Sequence, residues 1–124
     1  MTVDWNGSDL EKIAAAEELD LASERGNGTL RPPVTMWVVR SGDHLYVRSV
    51  KGPAGPWYRG ARSRNRGRIE AGGVRQDVTF HQADPGEYPE VDAAYRKKYG
   101  HYPSIVEHVL THRARIATLR LEPR

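Results

Sequence analysis

The sequence predicts an α+β fold whose centre is a mainly antiparallel β-sheet curled into a barrel. One helix precedes the sheet and two helices precede its last strand. Three observations predict this. Residues 34–40 and 44–50 are two β-branched and aromatic runs around a short glycine-containing loop, the pattern of a β-hairpin. Residues 68–73 and 74–81 form a second pair that pivots on Gly72-Gly73. Residues 115–121 alternate between two faces, as a final strand does. Connections this local favour antiparallel pairing, and a sheet of five or six strands in a chain of this length tends to close on itself.

Taken in order, Ser8-Asp-Leu-Glu11 reads as a capping box, and Leu10, Ile13 and Ala14 follow at helical spacing, so a helix is expected over 9–18. Residues 19–23 alternate like a short strand, and 25–28 are a turn. The hairpin of 34–40 and 44–50, with 41–43 as its loop, is apolar on both faces and is expected mid-sheet. Residues 51–67 read as a long connection with one helical turn near 57–62. In the strand after Gly73, Val74, Gln76, Val78 and Phe80 are expected to point inward. Residues 90–99 are helical, with Val91, Ala94, Tyr95 and Tyr99 on one side and Gly100 as the stop. Pro103-Ser104 opens another helix, with Ser104 and Glu107 as a capping box and Ile105, Val106, Val109 and Leu110 buried.

The chain has 124 residues, the length of one domain, so 1–124 is expected to form a single unit. It contains no cysteine, which excludes disulfides, thiolate metal sites and cysteine nucleophiles. The N-terminus lacks the basic and apolar regions of a signal peptide. No apolar run approaches the ~20 residues that span a bilayer, so the expected location is the cytoplasm and no membrane partner is expected. Charge is unevenly spread. Residues 1–30 hold seven acids against two bases, residues 31–75 hold ten bases against two acids, and the remainder balances at seven each.

That basic stretch holds the first candidate site. Arg48, Lys51, Arg59, Arg62, Arg64, Arg66 and Arg68 are interleaved with Trp57 and Tyr58. Arginine forks grip phosphate bidentately, an aromatic stacks on a flat ring, and Gly52, Gly55 and Gly60 let backbone N–H groups approach an anion. A phosphate-bearing planar ligand fits this pattern. The simpler reading is a solvated loop whose arginines pair with the acidic N-terminal helix. A nucleic-acid-binding module is a third reading; the modest, local charge excess and the lack of a known motif stand against it. His108 and His112 lie four apart on one expected helix but without an HExxH pattern, and no metal site is expected. His81 beside Asp77 reads as an ordinary strand face. Tyr95 and Tyr99 read as core anchors. No GxSxG, P-loop or GxGxxG occurs.

The segments at 31–40, 42–49, 57–59, 67–74, 91–99 and 115–124 resemble domain-of-unknown-function family 2255 over nearly the whole chain. From Leu45 to Gly73 the chain more distantly resembles the flavin and deazaflavin split-barrel oxidoreductases, relatives of pyridoxamine phosphate oxidase. The matching residues are Ser49-Val-Lys51-Gly52, Pro56-Trp57-Tyr58, Ala61-Arg62 and 69–73. This resemblance implies a split β-barrel, a homodimer with its cofactor at the subunit interface, and FMN or deazaflavin as that cofactor. It implies Ser49 and Lys51 at the cofactor phosphate with Arg62 close by, and Trp57 and Tyr58 along the groove; Arg48 joins the expected phosphate set. The function expected is reduction of a small organic molecule. Here Arg59-Gly60-Ala61 replaces the Asn-Leu usual after Trp-Tyr, and Val50 separates Ser49 from Lys51. These departures admit a second reading, a cofactor-free barrel that binds an anionic metabolite or catalyses a non-redox isomerisation or cyclisation.

Overall fold

The computed structural model describes residues 4–124; residues 1–3, which belong to the expected 1–124 unit, lie outside the described residues. Helix α1 (Gly7–Ala15) leads into strand β1 (Leu19–Ser23). Strands β2 (Val34–Met36), β3 (Val39–Ser41) and β4 (His44–Arg48) follow. A 3-10 turn, Gly52–Ala54, precedes helix α2 (Pro56–Arg64). The hairpin β5 (Arg66–Ala71) and β6 (Val74–Gln82) comes next. Helices α3 (Tyr88–Tyr99), α4 (Pro103–Val109) and α5 (His112–Arg115) then lead to strand β7 (Thr118–Pro123). The sheet is antiparallel throughout, in the order β2-β1-β5-β6-β7-β4-β3. It is the curled sheet of a split barrel. Its two edge strands, β2 and β3, are consecutive in the chain and are joined only by Trp37 and Val38. No helix among the described residues is long and apolar enough to cross a membrane.

Seven strands stand where five or six are expected, because the β-rich run at 34–40 breaks at Trp37-Val38. The polar groups of Val38 bond to α3 instead of to a neighbouring strand. Its N–H donates to the Tyr99 hydroxyl (3.3 Å), and its carbonyl accepts from Lys98 Nζ (2.7 Å). Trp37 lies flat on Tyr99 with ring centroids 3.9 Å apart. The hairpin that follows is therefore not wholly mid-sheet. β4 is internal, but β3 is an edge whose outer face is covered by α3. Its loop is two residues, Gly42 and Asp43, with Gly42 at φ +60°.

Other expected boundaries shift for local reasons. Asn6 caps α1 in place of Ser8, its Oδ1 accepting from Asp9 N (2.8 Å), so the helix begins earlier and ends at Ala15. The single turn expected near 57–62 is a full helix started by Pro56. No side chain caps α4, so Ser104 is not its N-cap, and Ile105 is exposed. The expected strand start at Arg115 is helical, because Thr111 caps a further short helix by accepting from Ala114 N.

Strand periodicity divides the interior in two. Leu45 and Val47 of β4 join Leu21, Ile69, Val78, Phe80, Leu119 and Leu121 inside the barrel, which α1 closes with Leu10 and Ile13. Fully burying each such side chain stabilises the fold by roughly 1.5–3 kcal/mol. At the β5–β6 turn Gly72 has φ +59°, and a Cβ there would lie 2.2 Å from the Lys12 carbonyl of α1, so only glycine fits. The alternate β4 residues face the helices. Tyr46 packs with Val39, Val91, Tyr95, Tyr99, Val106 and Val109. Arg48, 3% exposed, donates from Nε to Thr118 Oγ1 (2.8 Å), from Nη1 to Asp92 and the Val109 carbonyl (2.9 Å), and from Nη2 to the Tyr88 carbonyl (3.4 Å). Arg115 holds the other Asp92 oxygen at 2.9 Å. This buried network ties α3, α4 and β7 to β4. Asp92→Ala strands the Arg48 charge and is expected to lower stability by about 3–5 kcal/mol in urea denaturation.

Candidate functional site

The unsealed edge of the barrel opens into a cleft of about 590 Å³. One wall is β2 and its continuation, Val34, Thr35, Met36 and Trp37; α3 and α4 add Tyr95, Ile105 and Val109. The opposite wall is the end of β4 and the start of α2: Arg48, Ser49, Val50, Lys51, Gly55, Pro56 and Trp57. Among the described residues Glu18 is the only carboxylate of the lining.

At the end of β4 the chain turns tightly. Ser49 N donates to the Ala117 carbonyl (3.1 Å), Gly52 N to the Ser49 carbonyl (2.9 Å) and Gly55 N to the Gly52 carbonyl (3.0 Å). The Ser49 side chain is thereby fixed at 1% exposure, yet its hydroxyl has no hydrogen-bond partner; no other buried side-chain polar atom among the described residues is left so. A Cβ on Gly55 would come within 2.4 Å of that hydroxyl, so glycine keeps the space above it clear. Helix α2 starts at the next residue without a side-chain cap, and its first N–H groups have no intrahelical partner. A buried hydroxyl, the exposed Lys51 ammonium and an uncapped helix N-terminus meet here, a set of donors with the chemistry of an anion site.

Four of the six residues expected at the site line this cleft: Arg48, Ser49, Lys51 and Trp57. Arg48 does so with four of its five N–H bonds already directed to protein acceptors. Tyr58 instead turns into the barrel core, where its hydroxyl donates to Gln82 and burial raises its pKa. Arg62 lies in a separate depression, bonded to Asn65 Oδ1 at 2.8 Å. Sequence reasoning missed the β2 wall, Ile105 and Glu18; the exposed Val34, Val50 and Ile105 look unremarkable until the fold brings them to one mouth.

The corner at Trp37-Val38 that shapes the cleft is latched from α3. Lys98 Nζ donates to the carbonyls of Ala16 (2.6 Å) and Val38 (2.7 Å), and the Tyr99 hydroxyl donates to the carbonyl of Glu17 (2.6 Å). Burial lowers the Lys98 pKa from 10.5 to about 8, against the pull of the Glu17 charge. Burial raises Tyr99 from 10.0 to about 12, and burial drives Tyr95 and Tyr46 higher still.

The fold and the cleft define a split-barrel α+β protein with a small-molecule-sized pocket. The chain belongs to the family DUF2255, described as uncharacterized proteins conserved in bacteria, which matches residues 9–121. None of the curated proteins matches it in sequence. Among solved structures it is similar to a FAD-binding protein from Mesorhizobium loti (17% identity, all of this chain and 94% of the other, TM-score 0.62). It is similar to an F420-H2 dependent reductase (17% identity, 86% and 94% covered, TM-score 0.63). It is also similar to the heme storage protein HutZ of Vibrio cholerae (10% identity, 98% and 92% covered, TM-score 0.65). At these identities the likeness shows the shared fold.

Stability is expected to have a maximum near pH 10, where the Lys98 rise meets the tyrosine fall. Lys98 titrates in the folded state before the unfolded state, so its contribution is complete above 10.5 and is lost as pH falls through about 8. The buried tyrosines behave oppositely: their contribution is complete below 10.0 and is lost as pH rises through Tyr99's folded value of about 12. Thermal melts across this range should rise and then fall, and Lys98→Met should flatten the rise alone.

Proposed function

We propose that this protein is a flavin- or deazaflavin-dependent oxidoreductase acting on a small organic molecule, with the cofactor in the 590 Å³ cleft. The observation that carries this reading is the buried, unpartnered Ser49 hydroxyl in the cleft wall, between Lys51 and the open N-terminus of α2. A cofactor phosphate supplies the acceptor that Ser49 lacks, and Lys51 balances its charge. Trp57, with Val34 and Met36 across the cleft, offers apolar surface to a flat ring and keeps water from it. Arg48, Tyr58 and Arg62 are left out of this set: Arg48 anchors α3, Tyr58 is in the core and Arg62 faces the other depression. The bound cofactor would supply hydride transfer, while the chain holds it and excludes solvent. The FAD-binding and F420-dependent relatives support the choice of cofactor. The heme-storage relative lends less support to heme, because no histidine lines the cleft.

The cleft is completed, in this reading, by a second copy of the chain. Three large hydrophobic residues at its mouth are exposed: Val34 (40%), Val50 (42%) and Ile105 (50%). A dimer that covered them would bury apolar surface and enclose the ring. Ile105→Glu is expected to yield a monomer by light scattering, with weakened cofactor binding.

Trp37 and Trp57 both line the cleft, so their fluorescence should be quenched by bound cofactor. Titration with FMN, and separately with deazaflavin, is expected to give saturable quenching by one of them. Ser49→Ala and Lys51→Ala should each weaken it about tenfold, the equivalent of one charge-assisted hydrogen bond. An absence of quenching with both would turn the assignment to a cofactor-free pocket for an anionic metabolite.

A further inference from the structure

A second depression, of about 500 Å³, lies at the far end of α2 and shares no residue with the cleft. Arg62, Arg64, Arg66, Arg120 and His81 line it, and no carboxylate among the described residues does. The helix-to-strand junction brings the first three together. Asn65 ends α2 in the left-handed conformation at φ 57°, and its carbonyl accepts from Phe80 N (2.9 Å). The chain therefore reverses within one residue, and Arg66 at the start of β5 lies beside Arg62 and Arg64 of the last helical turn.

Carboxylates approach this cluster only from outside it, and they do not cover it. Arg64 (3.3 Å) and Arg66 (3.9 Å) share the one carboxylate of Glu24. Arg120 contacts Glu87 (3.1 Å) and Glu122 (3.3 Å), and His81 contacts Glu122 (3.1 Å). Arg62 has no carboxylate partner among the described residues and bonds only Asn65 Oδ1. All four guanidinium groups keep N–H donors directed to no protein acceptor, and those of Arg62 and Arg66 have no carboxylate within hydrogen-bond distance.

We propose that this depression is a binding site for a phosphate group on a small molecule, separate from the ligand of the cleft. Planar guanidinium forks converging on one space match the oxygens of a phosphate. A nucleic-acid strand fits less well. Non-specific strand binding relies on aromatic faces that stack on bases; here Phe80 is 2% exposed, and the His81 ring is engaged by Thr79 and Glu122.

The probe is inorganic pyrophosphate, titrated at constant ionic strength while NMR follows the arginine Nε–H signals, the His81 ring and the amide of Asn65. The expected result is saturable shifts at Arg62, Arg66, Arg120 and Asn65. Arg62→Gln/Arg66→Gln should weaken binding about tenfold or more, and Lys51→Ala should leave it unchanged. Arg62→Gln alone removes an exposed side chain without a charged partner, and should weaken it several-fold with the thermal midpoint unchanged. Shifts that never saturate, or binding unaffected by both variants but lost in Lys51→Ala, would overturn the site. A single-stranded oligonucleotide that saturates the same signals at much lower concentration than pyrophosphate would overturn the small-molecule assignment.

Discussion

The barrel is bridged by covalent chain rather than by a hydrogen-bonded ladder. β2 and β3 lie at opposite edges of the sheet, yet only Trp37 and Val38 separate them. Had the edges paired, their backbone groups would satisfy one another and the wall would be sealed. Instead α3 provides the missing partners. Lys98 Nζ donates to the Val38 carbonyl, and the Tyr99 hydroxyl, whose hydrogen goes to the Glu17 carbonyl, accepts the Val38 N–H. A buried peptide group without partners costs on the order of 1–3 kcal/mol, so this latch is a condition of the open edge. The cleft follows from it: residues 34–37 form a wall only because they are held away from β4. Lys98 can keep both of its bonds after losing its proton, since a neutral amine still has two N–H groups for two carbonyls.

β4 transmits this arrangement to the site. Its alternate residues serve two interiors, Leu45 and Val47 in the barrel and Tyr46 and Arg48 under the helices. Arg48 is held by four protein acceptors and so cannot swing toward a ligand without giving up all four and leaving one Asp92 oxygen unpaired. Ser49 is the next residue and inherits that rigidity. Its backbone is fixed on both sides, while its hydroxyl is left to the cleft. A polar group that is buried, immobile and unsatisfied is the arrangement that binds an incoming acceptor with little reorganisation.

What could be read from the sequence was local. The β5–β6 hairpin is legible because alternation and Gly72-Gly73 lie within it, and register follows from the turn. The break at Trp37-Val38 is not, because its cause, Lys98 and Tyr99, lies some 60 residues away. The same distance misleads about Arg48, which sits in a basic stretch while its partner Asp92 comes 44 residues later. Tyr58 and Arg62 lie on α2 beside Trp57, but rotation about the helix sends Tyr58 to the core and Arg62 to the other depression. Ser49 and Lys51 were singled out through family resemblance and both line the cleft, but that the Ser49 hydroxyl lacks a partner could not be read from the sequence.

The basic stretch resolves along the axis of α2. The acids of α1 do not neutralise it: among the described residues its ion pairs run to Glu24, Asp43, Glu70, Asp77 and Asp92, all outside that helix. The two ends of α2 then differ in kind. The N-terminal end has Gly55 and Pro56 beside Ser49 and Lys51, with Arg59 exposed at the close of the first turn, and its attraction for anions comes from the helix dipole, unpaired N–H groups and the Lys51 ammonium. The C-terminal end repels anions by the same dipole, and Arg62 and Arg64 offset it there. Any anion held at that end must therefore be held by guanidinium groups beyond those needed to balance the dipole. Arg66, contributed by β5, is such a group, whereas Arg120 of β7 already pairs with Glu87 and Glu122. The positive charge that reads as one patch along the sequence is thus divided between two depressions of different lining, at the two ends of a nine-residue helix.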